Sequence, residues 1–272
     1  MLTATLLSIA TAALSPQEVQ RSPLHPDLLI RFTESELKAL GARYPLGKSF
    51  HFIEGKDGGA AVQFDEPTGP PNRKTFSVIQ IPHRSEMHFS TGATFDFWAR
   101  VDQEAGFDGL GQFTHGPDWS AVLLAKSGDR IGFALNYNPR AFQSRYGGIF
   151  LGTYDWTFNG MGCEVTAQPP ILQTATWFRT TITLHQSAGY QIYLNKVLTI
   201  DCTNARPDFR HTNTQDLFIG ANGAKYGPFT GSLQDIAIYR RALSRDEVSS
   251  LPDSLAQPVT GYLSNKTYPA QK

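Results

Sequence analysis

Between Phe229 and Leu251 the chain changes its apolar period within one short link, from a strand pattern to a capped helix. Over residues 233–239 apolar side chains recur at alternate positions, with Leu233, Ala237 and Tyr239 on one parity and Ile236 and Ile238 on the other. Such a run predicts a strand with contacts on both faces, and Asp235 is its one exception. The pattern then turns helical. Ser244 followed by Glu247 forms a capping box, in which each side chain satisfies a backbone N–H left over by the first turn. Val248 and Leu251 supply one apolar helical face before Pro252 stops the turn.

The rest of the chain reads as strands joined by turns. Its 24 glycines, 17 prolines and 18 phenylalanines punctuate many short apolar runs, and 40% hydrophobic content over 272 residues is enough for one large core. A single main domain is expected over 28–251, with an N-terminal arm at 1–27 and a polar tail at 252–272. Strands are expected near 28–32, 61–64, 76–81, 94–101, 121–126, 131–137, 148–154, 163–167, 178–184, 191–194, 216–220 and 231–239. Thr33 and Glu36 cap a short helix that Gly41 ends. Lysine plus arginine and aspartate plus glutamate both number 24, so the net charge is zero and the electrostatic case for nucleic acid is removed. Residues 1–15 are apolar and rich in small residues, yet no basic residue precedes Arg21; the stretch reads as a weak signal-like segment or as a packed arm, and it is too short to span a bilayer.

The closing stretch resembles the end signature of the laminin-G-like, concanavalin A-like jelly-roll family, through Phe229, Gly231, Leu233, Gln234, Asp235, Tyr239, Arg241, Ala242, Leu243 and Ser244. Further matches follow in family order: residues 59–65, residues 93–100 around Trp98, and residues 177–184 with 189–195. The resemblance covers roughly residues 55–251 and implies an all-β fold, a two-sheet antiparallel jelly-roll sandwich with short peripheral helices. It also implies that Trp98 and Trp177 fill the core. Calcium is the family's usual ion, held by the first acidic residue of the closing strand and an early glycine-aspartate loop. The corresponding candidates here are Gln234 and Asp57, so a neutral amide stands where the family carries a carboxylate; Asp235, next along the strand, is expected to face the other side.

The same fold houses glycoside hydrolases, polysaccharide lyases and lectins, so function must be argued from residues. The glucanase Glu-x-Asp-x-x-Glu strand is absent, and Glu34-Ser-Glu36 belongs to the short helix, where carboxylates stabilise an N-terminus. Arg84-Ser-Glu86 resembles the Arg-Ser/Thr-Glu strand of alginate-lyase-type jelly rolls, in which arginine neutralises a uronate, but its companion motifs are missing. His83 and His88 flank it and, on a strand, would face opposite ways. There is no Gly-x-Ser-x-Gly elbow and no His-Glu-x-x-His helix.

Aromatic loops are the binding candidates, because a sugar's apolar face stacks on rings while its hydroxyls need donors and acceptors beside them. Tyr154, Asp155, Trp156 and Asn159 form the densest group, and Tyr137 and Arg145 add a second cluster next to it in sequence. Cys163 and Cys202 carry no zinc spacing. They read either as a disulfide closing a loop of about 40 residues, worth about 3–4 kcal/mol in an extracytoplasmic setting, or as two buried thiols. The expected function is non-catalytic recognition of a glycan or a partner protein's surface, with an extracytoplasmic location favoured. A carbohydrate-active enzyme, and a structural subunit of a surface or viral assembly, stay open as alternatives.

Overall fold

The computed structural model describes residues 24–65, 76–102, 121–127, 132–137, 149–153, 164–165, 175–202, 209, 215–221 and 228–253. In chain order its elements are β1 (Leu28–Ile30), α1 (Glu34–Ala39), β2 (Phe50–Glu54), β3 (Ala60–Phe64), β4 (Ile79–Ile81), β5 (Gly92–Val101), β6 (Ala121–Ser127), β7 (Gly132–Tyr137), β8 (Ile149–Thr153), β9 (Glu164–Val165), β10 (Trp177–His185), β11 (Gly189–Leu194), β12 (Val197–Cys202), β13 (Leu217–Ile219), β14 (Gly231–Tyr239) and α2 (Arg245–Ser250). One antiparallel sheet runs β2–β3–β14–β5–β10–β11–β12–β9, with β1 also paired to β14; the other runs β4–β13–β6–β7–β8.

Alternation packs the two sheets together. Phe95, Phe97, Ala99 and Val101 of β5 enter one core with Ile79, Ile81, Leu124, Leu217 and Ile219 of the smaller sheet. Each large side chain removed from water there contributes about 1.5–3 kcal/mol. The parity change in β14 has a physical cause: Gln234 faces Trp98 and Ile236 faces Phe97, so Asp235 is the extra residue of a β-bulge, at φ 41°. Leu233 before the bulge and Ile236 and Ile238 after it thereby all reach the core. The bulge also divides the strand's free edge, with β3 pairing residues 231–234 and β1 pairing residues 236–238.

The helix lies on the outer face of the larger sheet. Val248 and Leu251 pack with Tyr193, Ala237, Tyr239 and Leu243 in a second apolar cluster. The capping box forms as expected, with Ser244 Oγ accepting from Glu247 N and Glu247 Oε2 accepting from Ser244 N. Thr94 fixes the link before the helix, donating through Oγ1 to Arg241 O at 2.8 Å and accepting from Leu243 N at 2.9 Å. Two strands were not expected from the sequence, β2 and β12. Asn195 and Lys196 join β11 to β12 with φ of 50° and 68°, the two left-handed residues of a tight hairpin turn.

Candidate functional site

The parity of β5 sets the outer face of the larger sheet as well as the core. With Phe95, Phe97, Ala99 and Val101 inward, Thr94, Asp96, Trp98 and Arg100 point outward. Asp96 is fully buried under the segment after α2, where it accepts from Arg179 Nε at 2.8 Å, Arg179 Nη2 at 2.5 Å and Thr181 Oγ1 at 2.7 Å. Arg179 Nη1 donates to Pro252 O at 2.6 Å, which ties the chain beyond the helix to the sheet. The buried, charge-assisted pair thus holds the strands and the segment beyond the helix together. Trp98, one layer on, lies beneath the Lys56 ammonium, 4.2 Å from its ring centre.

The next layer is a straight row of cross-strand neighbours: Gln63 on β3, Ser232 on β14, Arg100 on β5 and Trp177 on β10. Ser232 Oγ donates to Gln63 Oε1 at 2.5 Å, and Arg100 Nη2 donates to the same oxygen at 2.9 Å. Arg100 Nε and Nη2 also reach the two carboxylate oxygens of Asp102, at 2.7 and 3.2 Å. The guanidinium carbon sits 5.5 Å from the Trp177 ring centre. Three hydrogen bonds therefore fix the guanidinium plane, while Arg100 Nη1 meets no partner among the described residues. Arg100 and Trp177 are both partly exposed. A rigid planar donor beside an indole ring is suited to a sugar, which offers hydroxyls at its rim and C–H groups on its face.

Sequence reasoning missed this row and gave Trp98 and Trp177 to the core. The alternation of Thr94, Asp96, Trp98, Arg100 and Asp102 against Phe95, Phe97, Ala99 and Val101 is the signal that separates the faces. Both tryptophans follow the polar parity: Trp98 is buried as expected, beneath the Lys56 side chain, whereas Trp177 is partly exposed beside Arg100.

The glycine turn expected to hold calcium closes through Gly55 N to Gly59 O at 2.7 Å and Gly59 N to Lys56 O at 3.2 Å. Its Asp57 is largely exposed, and its carboxylate is held by Lys56 Nζ at 2.6 Å. Gln234 is buried against the turn, and its Oε1 makes no hydrogen bond. Asp235, the extra residue of the bulge, is buried. Burial pushes its carboxyl up to about 6, against the pull of Arg31 and of the bond from Gln234, with Glu36 adding to the rise. Asp235 Oδ2 also lacks a hydrogen bond. Calcium needs several hard, charged oxygens, and no group of three or more His, Cys, Asp or Glu side chains gathers among the described residues. With Asp57 drawn to Lys56 and a neutral amide in the strand position, the expected ligand pair does not fit the ion.

Arg84-Ser-Glu86 is not a strand. Residues Ser85–Met87 form one 3₁₀ turn, in which Arg84 Nη2 lies 3.6 Å from Glu86 Oε1. The turn also brings the His83 and His88 rings together, 6.3 Å between centres, where a strand would have separated them. Beside them Lys126 is buried, donating to Gln215 O at 2.7 Å and lying 3.2 Å from His83 Nδ1. Burial lowers Lys126 to about 8, opposed by Asp216, and burial followed by Lys126 and His88 lowers His83.

Of the sequence-predicted binding residues, Tyr137 is the last residue of β7 and pairs with Ile149 at the start of β8. Tyr154 follows Thr153, which pairs with Phe133 at the opposite end of β7, about 13 Å away. The strand pair thus separates Tyr137 from the point where the Tyr154 stretch begins. Tyr154, Asp155, Trp156, Asn159, Arg145 and Cys163 lie outside the described residues. Cys202 is buried and is not a free thiol. No helix among the described residues is long and apolar enough to cross a membrane.

The sequence profile of the concanavalin A-like lectin/glucanases superfamily matches residues 73–249. No curated protein matches the chain. Among solved structures, the fold matches domain 4 of AbnA, a GH43 extracellular arabinanase from Geobacillus stearothermophilus, in complex with arabinotriose; the TM-score is 0.57 at 16% identity, over 84% of this chain and 98% of that one. It also matches the binding domain of Paraclostridial Mosquitocidal Protein 1, with TM-score 0.53 at 16% identity over 82% and 51% of the two chains. The binding domain of Botulinum neurotoxin serotype G gives 0.52 at 13% identity, over 83% and 50%. The chain therefore spans about half the length of these two toxin domains. At such identities the likeness is one of fold.

Proposed function

The chain belongs to the concanavalin A-like lectin/glucanases superfamily, and we propose that it serves there as a non-catalytic module that recognises a glycan. The observation that carries this reading is the in-register row Gln63–Ser232–Arg100–Trp177 on the outer face of the larger sheet. A sugar ring laid on the Trp177 indole buries its apolar face. Arg100 Nη1 then stands at its rim to meet hydroxyls, and Asp102 balances the arginine's charge, which favours a neutral glycan. Because Gln63, itself held by Ser232, and Asp102 already fix the guanidinium, little ordering entropy opposes binding. Support from the comparisons is that the same fold, over 98% of its length, forms the arabinanase domain whose structure contains arabinotriose. An extracytoplasmic setting and a Cys163–Cys202 disulfide belong to the same reading.

The test is a glycan array probed with the whole protein, with and without calcium, followed by inspection of any bound oligosaccharide for cleavage. Binding of an intact glycan is the expected result. Cleaved product would replace the reading with an enzyme, and a blank array would replace it with a protein partner.

A further inference from the structure

We propose that the Gln234 carboxamide takes the place of a metal ion, tying the Gly55–Gly59 turn to β14 with a side chain where the family resemblance implies calcium. The two glycines identify the clamp. Gly55, at φ −94° and ψ −156°, and Gly59, at φ −70° and ψ 163°, have extended backbones open to any residue, so conformation does not call for glycine at either place. Space does. A Cβ on Gly59 would lie 2.5 Å from Gln234 Nε2 and 3.0 Å from its Cδ. A Cβ on Gly55 would collide with Gln234 Oε1 and stand 2.8 Å from the Ala61 Cβ. The amide is therefore packed against both ends of the turn, and its buried Oε1, bare of hydrogen bonds, is held by that packing.

Charge points the same way. Gln234 is neutral, and Asp57 is neutralised by Lys56. The Lys56 ammonium itself rests on Trp98, which stands directly opposite Gln234 in the sheet, so a positive charge is already present on this face. A dication placed between Gln234 and the glycines would find no space for its ligand shell, and the Asp235 carboxyl next along the strand is one acidic group where calcium affinity calls for several. The link between turn and sheet is thus built into the sequence and does not depend on calcium.

The experiment uses the whole chain, with thermal unfolding in millimolar calcium or in chelator and titration with terbium, whose emission Trp98 would sensitise if the ion bound beside Gln234. The wild-type chain is expected to unfold at the same temperature in both and to give no sensitised emission. Gln234→Asp shortens the side chain and sets a second carboxylate next to Asp235. That variant is expected to be less stable in chelator, to gain roughly 5 °C on calcium addition and to sensitise terbium. A separate arm does not depend on that variant folding. Gly59→Ala is expected to lower the unfolding temperature, and combining it with Gln234→Ala to recover part of the loss, because the new methyl then has space. Calcium stabilisation of the wild-type chain, a folded Gln234→Asp chain that ignores calcium, or a Gly59→Ala loss that is the same with and without Gln234 would each overturn the proposal.

Discussion

Replacing Asp235 with asparagine should stabilise this protein at neutral pH and do so less, or not at all, in mild acid. Asp235 is the extra residue of the β14 bulge, buried, with its carboxyl raised from the ordinary 3.8 to about 6 by desolvation. The folded state thus binds this proton more tightly than the unfolded state does. Stability is greatest below the unfolded value, falls as pH rises from about 4 to about 6, and is lower by a constant amount above that. At about 1.36 kcal/mol per pK unit, the difference is roughly 3 kcal/mol. Asparagine keeps the shape, accepts the left-handed φ of 41° and does not titrate. Its amide brings donors that need partners, so the net gain at pH 7.5 should be about 1–3 kcal/mol. Urea unfolding of both chains at pH 4 and pH 7.5 measures this directly, through the shift in midpoint at constant slope. An equal advantage at both pH values, or a variant weaker at pH 7.5, would refute the argument that an unpaid desolvation cost sits on this carboxyl.

Other expectations follow from the same geometry. Arg179→Ala leaves the Asp96 carboxylate buried without its partner and releases Pro252, and should cost about 3–5 kcal/mol in denaturant unfolding. Trp177→Ala should weaken binding of an array-identified glycan about tenfold or more by calorimetry with the fold intact, as judged by an unchanged urea slope. The double variant Tyr154→Ala, Trp156→Ala tests the loop reading of the sequence: unchanged glycan affinity in that folded chain leaves the outer-face row as the site, and lost affinity moves the site to the loop. Intact-mass analysis without reductant should find the chain lighter by the two thiol hydrogens of Cys163 and Cys202, and a mass that does not change on reduction would exclude the bond.

The closing signature was legible in sequence because its signals are local. A capping box at Ser244 and Glu247 and alternation through residues 233–239 need only neighbouring residues, and both appear as read. The Asp235 break in the alternation was visible too, but its meaning was not: only pairing to β5 shows that two residues oppose one and that the break re-aims the strand. Strand β12 escaped because Asn195-Lys196 lacks the glycine that usually marks such a turn, so its two left-handed residues had no sequence sign. The Arg100 row depends on register among four strands brought together from residues 63, 100, 177 and 232, and no linear spacing encodes that adjacency. His83 and His88 were misread for a related reason, since one 3₁₀ turn replaced the assumed strand and reversed their relation.

The most direct test of glycan recognition on the outer face is a two-dimensional NMR titration that follows the four tryptophan indole N–H signals as an array-identified oligosaccharide is added. The account predicts that the Trp177 signal, assigned by substitution, shifts in proportion to occupancy while the sugar's own resonances show no cleavage. Shifts confined to Trp119 or Trp156, or the appearance of a cleaved sugar, would contradict it.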